Sequence, residues 1–184
     1  MRVLLGALAL VALPALAAGA FQYKGVSLGV TEEALRAAHP EFSCGPSYTG
    51  GERSCVIRGG SYAGVPAKGT TAHFVAGRLY SVSVLVPFEH FDAVKDALTE
   101  AYGPPTTSQD LPLAQHERPD RGDSRKRHYV YQWTRGAERI RADSYAESHA
   151  QAGELSSVVI ETDAYKEELK KAELERKKKR AKDL

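Results

Sequence analysis

The chain has 184 residues and a formal net charge of +2 at neutral pH. This length excludes an assembly of several full domains and predicts one domain that buries about two-thirds of its unfolded surface. The charge is uneven, because residues 165–184 hold nine Lys or Arg against five Asp or Glu, while residues 21–164 carry a net charge of −3. A mildly acidic body with a basic C-terminal tail is therefore expected.

The N-terminus has the pattern of a secretory signal peptide. A short basic leader is followed by apolar residues 3–16, and Ala18-Gly19-Ala20 supplies the small side chains that precede signal cleavage. A membrane-spanning helix is the alternative, but the apolar run is too short to cross a bilayer comfortably. We predict a signal peptide at residues 1–20 and a periplasmic or secreted location.

A first helix and a disulfide are expected early in the mature chain. Thr31 is a good helix N-cap, and Pro40 marks the end of the helix. Cys44 and Cys55 are the two cysteines of the chain, and in an oxidising compartment such a pair reads as one disulfide. Free thiols or half of a metal site are the alternatives, but there is no Cys-x-x-Cys spacing. We expect residues 42–54 to form the disulfide loop.

The centre of the chain predicts a hairpin followed by a helix. Residues 71–75 form one strand, Ala76-Gly77 the turn, and a second strand places Tyr80, Val82, Val84 and Val86 on one face. Beyond it, apolar positions recur at helical spacing up to Gly103: Phe91, Val94, Leu98 and Ala101 or Tyr102. The sheet and the helix are expected to cover each other.

The second half predicts an exposed loop and three more strands. Residues 106–126 are polar and proline-bearing and are expected to form the loop. Residues 129–134 and 139–145 predict a hairpin around Arg135-Gly136, and residues 156–162 predict a last strand. Trp133 and the two tyrosines before it share one face of the hairpin; core packing is favoured, with an aromatic binding surface as the alternative.

These elements predict the α+β class. We expect a single domain at residues 21–164, with an antiparallel sheet of about five or six strands and two helices on one face. The order helix, three strands, helix, three strands also suggests a duplicated helix-plus-three-strand unit. Residues 165–184 are expected to form a charged, basic helical tail that stays exposed and adds little stability.

Residues 25–31, Gly-Val-Ser-Leu-Gly-Val-Thr, resemble the Gly-Met-Thr or Gly-Met-Ser opening of small exported bacterial proteins. These include BamE, the small lipoprotein of the outer-membrane β-barrel assembly machine. The expected architecture is similar to the repeated helix-plus-sheet unit of β-lactamase inhibitor protein. The resemblance implies an α+β fold and a non-enzymatic binding role, although the chain lacks the anchoring cysteine of the lipoprotein.

No motif predicts catalysis, a metal or a cofactor. Residues 25–29 match the G-x-S-x-G nucleophile elbow, but an elbow needs a buried parallel strand before it and a helix directly after it. The six histidines are scattered and show no zinc-ligand spacing. We therefore expect a protein that is not an enzyme.

Two basic clusters are the candidate binding residues. The first lies in the expected loop and favours an anionic partner, with a solvated loop as the alternative. The second lies in the tail and could dock on anionic lipid headgroups, lipopolysaccharide or another polyanion, with a solvated tail as the alternative. Nucleic acid is not expected, because export separates the chain from it. The clusters comprise Arg118, Arg121, Arg125, Lys126, Arg127, Arg176, Lys177, Lys178, Lys179 and Arg180.

Two functions follow from these expectations. The first is an exported, non-enzymatic binding or scaffold protein with a protein partner in the bacterial envelope. The alternative is an inhibitor or immunity-type protein that blocks a secreted or periplasmic hydrolase, with the loop of residues 106–126 entering the cleft of the hydrolase.

Overall fold

The structure, a computed structural model, describes residues 20–47, 51–111, 128–144 and 155–182. The predicted signal peptide, apart from Ala20, lies outside these residues. In chain order the elements are β1 Gln22–Tyr23, β2 Val26–Ser27, α1 Glu32–Ala38, β3 Ser43–Pro46, β4 Arg53–Arg58, β5 Ser61–Tyr62, β6 Val65–Pro66, β7 Gly69–Val75, β8 Arg78–Pro87, α2 Phe91–Tyr102, β9 Thr107–Leu111, β10 His128–Arg135, β11 Glu138–Asp143, β12 Leu155–Thr162 and α3 Lys166–Lys182.

Eight of the strands form one antiparallel sheet in the order β3-β4-β7-β8-β12-β11-β10-β9. The α+β class and the antiparallel sheet are thus confirmed, but the expected five or six strands were too few. The two outermost strands, β3 and β9, were assigned to loops in the sequence. Both are short, and β9 is exposed along its whole length, so neither carries the apolar alternation that marks a half-buried strand.

The topology divides the sheet into two similar halves. In the first half α1 precedes β3, β4, β7 and β8, and in the second half α2 precedes β9, β10, β11 and β12. The halves meet where their last strands pair, with Val84 opposite Val158 and Val82 opposite Ile160. Each half has four strands in the sheet, one more than the unit expected from the sequence.

The predicted helix signals operate as expected. The Thr31 hydroxyl accepts a hydrogen bond from the Ala34 backbone N–H at 3.3 Å and caps α1. Phe91, Val94 and Leu98 are the buried residues of α2. Gly103 then leaves the helix at φ 84°, a conformation that a residue with a side chain rarely adopts.

Both of these helices cover the same face of the sheet. Their buried side chains join one apolar cluster with the inward residues of β7, β8, β11 and β12. The predicted core role of Trp133 is confirmed: the side chain is buried, and its indole N–H donates to the Gly103 carbonyl at 2.8 Å. This bond ties β10 to the end of α2.

The disulfide between Cys44 and Cys55 is confirmed. The surrounding segment is a hairpin rather than the expected loop, because Cys44 on β3 lies directly opposite Cys55 on β4. The disulfide therefore joins an edge strand of the sheet to its neighbour. The central turn is also confirmed, with positive φ at both Ala76 and Gly77.

A β-bulge changes the expected face of Tyr80. The register between β7 and β8 shifts between His73 and Phe74, so that Phe74 lies opposite Leu79 and His73 opposite Ser81. The extra residue is Tyr80, and its ring contacts His73 on the face away from the core, at 6.1 Å between centroids. The sequence analysis placed Tyr80 on the core face because it assumed that side chains alternate strictly between the two faces. A β-bulge adds one residue to the strand and breaks that alternation.

The third helix, α3, lies on this opposite face. Its half-buried positions recur at helical spacing, which shows that one stripe is covered by the sheet: Leu169, Ala172 and Arg176, following Tyr165. The expectation of two helices on one face is therefore corrected to two helices on one face and one on the other. Among the described residues, none of the helices has the length and apolar character required to cross a bilayer.

Candidate binding surface

The face of the sheet opposite the core is the candidate site, and we call it the outer sheet face. One row of directly paired residues crosses all eight strands on this face. We call it the outer row, and it consists of Ser43, Val56, Thr71, Ser83, Val159, Arg141, Gln132 and Thr107. Every member is half-buried or exposed. On the core face, by contrast, Ala72, Val82, Ile160 and Ala142 are completely buried.

The outer row follows directly from the pleat of the strands. Successive side chains of a strand point to opposite faces, so the residue next to each core residue belongs to the outer sheet face. Adjacent strands lie about 4.8 Å apart, so a row across eight strands extends over about 34 Å. The scaffold fixes these side chains on a rigid, extended surface.

Apolar side chains interrupt the polar ones on this surface. Val56 is 38% exposed, and Val159 and Leu85 are half-buried. Leu85 belongs to the next row, where it lies opposite Ser157. The outer sheet face therefore offers aliphatic contacts to a partner at several strands.

Two arginines of β11 are held in place on the outer sheet face. The Arg141 guanidinium donates to the Asp143 carboxylate at 2.7 Å, and the other Asp143 oxygen contacts the His128 ring. Arg139 donates to Glu161 at 2.5 Å and to Asp163 at 3.0 Å. The hydrogen bond to Glu161 raises the pKa of Arg139 above its ordinary value. Both guanidinium groups are thus oriented before any partner arrives.

The helix α3 limits the outer sheet face at one end. Burial raises the pKa of the Tyr80 hydroxyl to about 12, and the Glu173 carboxylate on α3 acts in the same direction. Arg176 on α3 lies close enough to oppose that shift. Tyr80 therefore lies beneath the middle of the helix, next to the row that contains His73 and Ser81.

The structure describes only part of one of the two predicted basic clusters. Arg118, Arg121, Arg125, Lys126 and Arg127 lie outside the described residues; the strands that flank them end at Leu111 and begin at His128. Lys177, Lys178 and Lys179 are exposed on α3, whereas Arg176 faces the sheet. The side chain of Arg180 lies outside the described residues.

One group in the described residues has the composition of a metal site, but its chemistry is different. Glu32, Cys44 and Cys55 bring their ligand-type atoms within 4.8 Å of one another. The two sulfur atoms are bonded to each other, so they are not available as thiolate ligands. Glu32 instead accepts two hydrogen bonds from Arg53, at 2.6 and 3.0 Å, and these lower its pKa.

The sequence did not identify the outer sheet face as a site. Its members are single residues on separate strands, and only the order of the strands places them in one row. The alternation in the predicted strands showed which residues point outward. No residue pattern within β8 or β12 indicates that these two strands pair with each other.

Comparison with known proteins gave no match to a protein-family model, to a curated protein or to a solved structure. The resemblance of residues 25–31 to the BamE opening therefore stays a prediction.

Proposed function

We propose that this chain is an exported, non-enzymatic binding protein of the bacterial envelope whose outer sheet face binds a protein partner. The observation that carries the proposal is the outer row, which crosses eight strands without a single buried residue. The opposite face is covered by α1 and α2, whereas α3 lies at one end of the outer sheet face and leaves the outer row accessible.

The size and composition of the surface favour a protein partner. A row about 34 Å long matches a standard interface, which covers about 800 Å² on each partner. Small-molecule sites, by contrast, are concave and enclose most of the ligand. Val56 and Val159 supply apolar contact, and Arg141 supplies an oriented guanidinium, a group that is enriched at protein interfaces.

The proposed location is the periplasm or the extracellular space. The Cys44–Cys55 disulfide supports it, because disulfides persist in oxidising compartments. The predicted signal peptide is the route of export.

Site-specific cross-linking in the exported protein tests the proposal. A photoreactive amino acid is introduced in place of Val159 on the outer row, and in place of Glu100 as the control. Glu100 is exposed on α2, which packs on the opposite face of the sheet. We expect a defined cross-linked protein from position 159 and none from position 100.

A second variant tests whether the cross-link at position 159 depends on the outer sheet face. Val56→Asp places a charge on the outer row, three strands from position 159, and should abolish the cross-link without unfolding the protein. Equal products from positions 159 and 100, or a product that Val56→Asp leaves unchanged, would contradict a site on this face.

The identity of the captured protein separates the two proposed roles. One stoichiometric hydrolase would support the inhibitor, and proteins of envelope assembly would support the scaffold.

A further inference from the structure

The chain enters the core at a single peptide bond. Ala20 is exposed, while the next residue, Phe21, is completely buried. This bond is also the one at which the small residues Ala18-Gly19-Ala20 predict signal cleavage.

The Phe21 ring is held from two sides. It meets the Tyr102 ring edge-on with 5.1 Å between centroids, and the Arg135 guanidinium lies 5.1 Å from the Phe21 centroid. Arg135 also donates to the Tyr102 carbonyl at 3.1 Å. The position of the Phe21 backbone is therefore fixed by its side chain.

The Phe21 nitrogen lies against a carboxylate. It donates to Glu138 Oε2 at 2.9 Å. Glu138 is the first residue of β11, opposite Arg135 across the tight turn of the second hairpin. It is half-buried. A neutral backbone N–H is equally well satisfied by a carbonyl, so a carboxylate here supplies more charge than an amide requires.

Glu138 takes part in no side-chain ion pair within the described part of the chain. No Lys, Arg or His nitrogen among residues 20–47, 51–111, 128–144 and 155–182 lies within 4.0 Å of its carboxylate. The group that contacts it is the Phe21 nitrogen. A positive charge at that atom would complete an ion pair.

We propose that Phe21 is the mature N-terminus and that Glu138 is the binding site for its α-ammonium group. A signal peptidase of the export machinery hydrolyses the Ala20–Phe21 peptide bond with one water molecule. Ala20 leaves as a carboxylate, and the Phe21 amine takes up a proton, since an α-amino group has a pKa of about 7.7–8.0. The hydrogen bond to Glu138, which is charged on the acceptor side alone in the precursor, then becomes an ion pair.

This site couples maturation to stability and is separate from the outer sheet face. In the precursor the hydrogen bond at Glu138 carries charge on the acceptor alone, whereas in the processed chain donor and acceptor carry opposite charges. The ion pair therefore adds a Coulombic attraction to the hydrogen bond. The folded state is therefore stabilised further by the cleavage that releases it.

Export of the full-length chain in a bacterial host tests whether Phe21 is the mature N-terminus. Intact-mass measurement of the purified protein should show the loss of residues 1–20 and no other trimming. A retained leader or a different N-terminus would overturn the proposal without any mutation.

A set of four proteins tests the ion pair. They are the exported wild type, Glu138→Gln, a form with one asparagine inserted between Ala20 and Phe21, and the insertion combined with Glu138→Gln. The insertion restores a neutral amide at Phe21 and moves the charge one residue away, and the mass of each product verifies its terminus.

Thermal unfolding gives the comparison. Glu138→Gln should lower the Tm by about 3 °C when Phe21 is the terminus and by about half as much when the asparagine precedes it, because only the first form loses an ion pair. Glu100→Gln replaces an exposed glutamate on α2 and is the matched control. It should leave the Tm unchanged in both forms of the protein. Equal losses with and without the inserted residue would show that Glu138 only accepts a neutral N–H, and would overturn the ion pair.

Discussion

Single polar atoms hold the elements of this fold together at a few defined points. The Trp133 indole N–H donates to the carbonyl of Gly103, the residue that ends α2. Gly103 is half-buried, and an acceptor that loses its donor in such a place costs about 1–2 kcal/mol. The single tryptophan of the chain therefore has a polar role in addition to its apolar packing.

We expect Trp133→Phe to lower the free energy of unfolding by about 2 kcal/mol, because the Gly103 carbonyl is left without its donor. Urea denaturation followed by circular dichroism measures the loss. Tyr131→Phe is the control, since it keeps the ring that packs against Phe91 at 6.0 Å. A loss for Tyr131→Phe as large as that for Trp133→Phe would show that the indole hydrogen bond is not the cause.

The pair Glu32–Arg53 makes stability depend on pH. The hydrogen bonds from Arg53 lower the pKa of Glu32 in the folded state, so the unfolded chain binds the proton more tightly. The contribution is therefore complete above the unfolded pKa and is lost as the pH falls through the folded pKa.

We expect a coupling of about 0.5 kcal/mol between Glu32→Gln and Arg53→Gln at pH 7, because this is a surface pair with Arg53 half exposed. The coupling should be smaller at pH 3, where Glu32 begins to take up a proton. Thermal unfolding of the two single variants and the double variant at both pH values measures it. A coupling of the same size at both pH values would contradict the ionic origin.

At the scale of the elements, the sequence predicted the long elements with a buried face and missed the strands that are exposed or only two residues long. The alternation in β8 and β12 and the helical stripe of α2 arise from burial, and burial leaves its pattern in the residues. β9 has both faces exposed, so nothing in its sequence distinguishes it from a polar loop. The outer sheet face could not be predicted either, because it depends on which strands become neighbours.

The sequence analysis also underestimated how much of α3 is buried. Arg176 was counted as one of five surface cations, yet it lies in the half-buried stripe with Leu169 and Ala172. Its side chain is buried as far as the guanidinium Nη1 atom, so its aliphatic stem adds contact area against the sheet. Counting apolar residues therefore underestimates the docking face of a basic helix.

We expect Leu169→Asp to lower the Tm by about 4 °C, because it places a charge in the stripe that packs on the sheet. Leu174→Asp is the matched control, since Leu174 is 53% exposed on the same helix. Hydrogen exchange should show faster exchange in residues 165–176 for Leu169→Asp alone. Equal effects of the two variants would contradict a docked helix.

The exposed lysines of α3 carry the proposed contact with anionic lipid. We expect Lys177→Gln, Lys178→Gln and Lys179→Gln together to weaken binding to phosphatidylglycerol-containing vesicles at least about 10-fold at low salt. The difference should disappear at high salt, where exposed charges are screened. Sedimentation with vesicles at two salt concentrations measures both effects.

The control for that triple variant changes the net charge by the same amount elsewhere. Lys24, Arg36 and Arg58 are exposed on other elements, and their replacement by glutamine should leave vesicle binding nearly unchanged. Equal loss in both triple variants would mean that overall charge, rather than the helix, determines the binding.

At the scale of the whole molecule, the two halves share one core. The apolar cluster contains Leu35 from α1 and Leu98 from α2, together with strand residues from both halves. The sheet is continuous across the pairing of β8 with β12. The halves are therefore expected to unfold together.

We expect one unfolding transition in urea, with the same midpoint by Trp133 fluorescence and by far-ultraviolet circular dichroism. The fluorescence reports the second half, and the dichroism reports the secondary structure of the whole sheet. A dichroism change at a concentration where fluorescence is constant would show that the first half unfolds by itself.

The pairing of β8 with β12 also determines when the sheet can close during synthesis. The two strands are separated by 67 residues, and β12 is the last strand of the sheet. A chain that emerges N-terminus first completes β8 long before its partner exists, so one edge of β8 has no partner strand during that interval. Unpaired strand edges are templates for aggregation. The first half is therefore open to pairing with other chains until residues 155–162 have been made, so that folding of the N-terminal part is completed only by the C-terminal part.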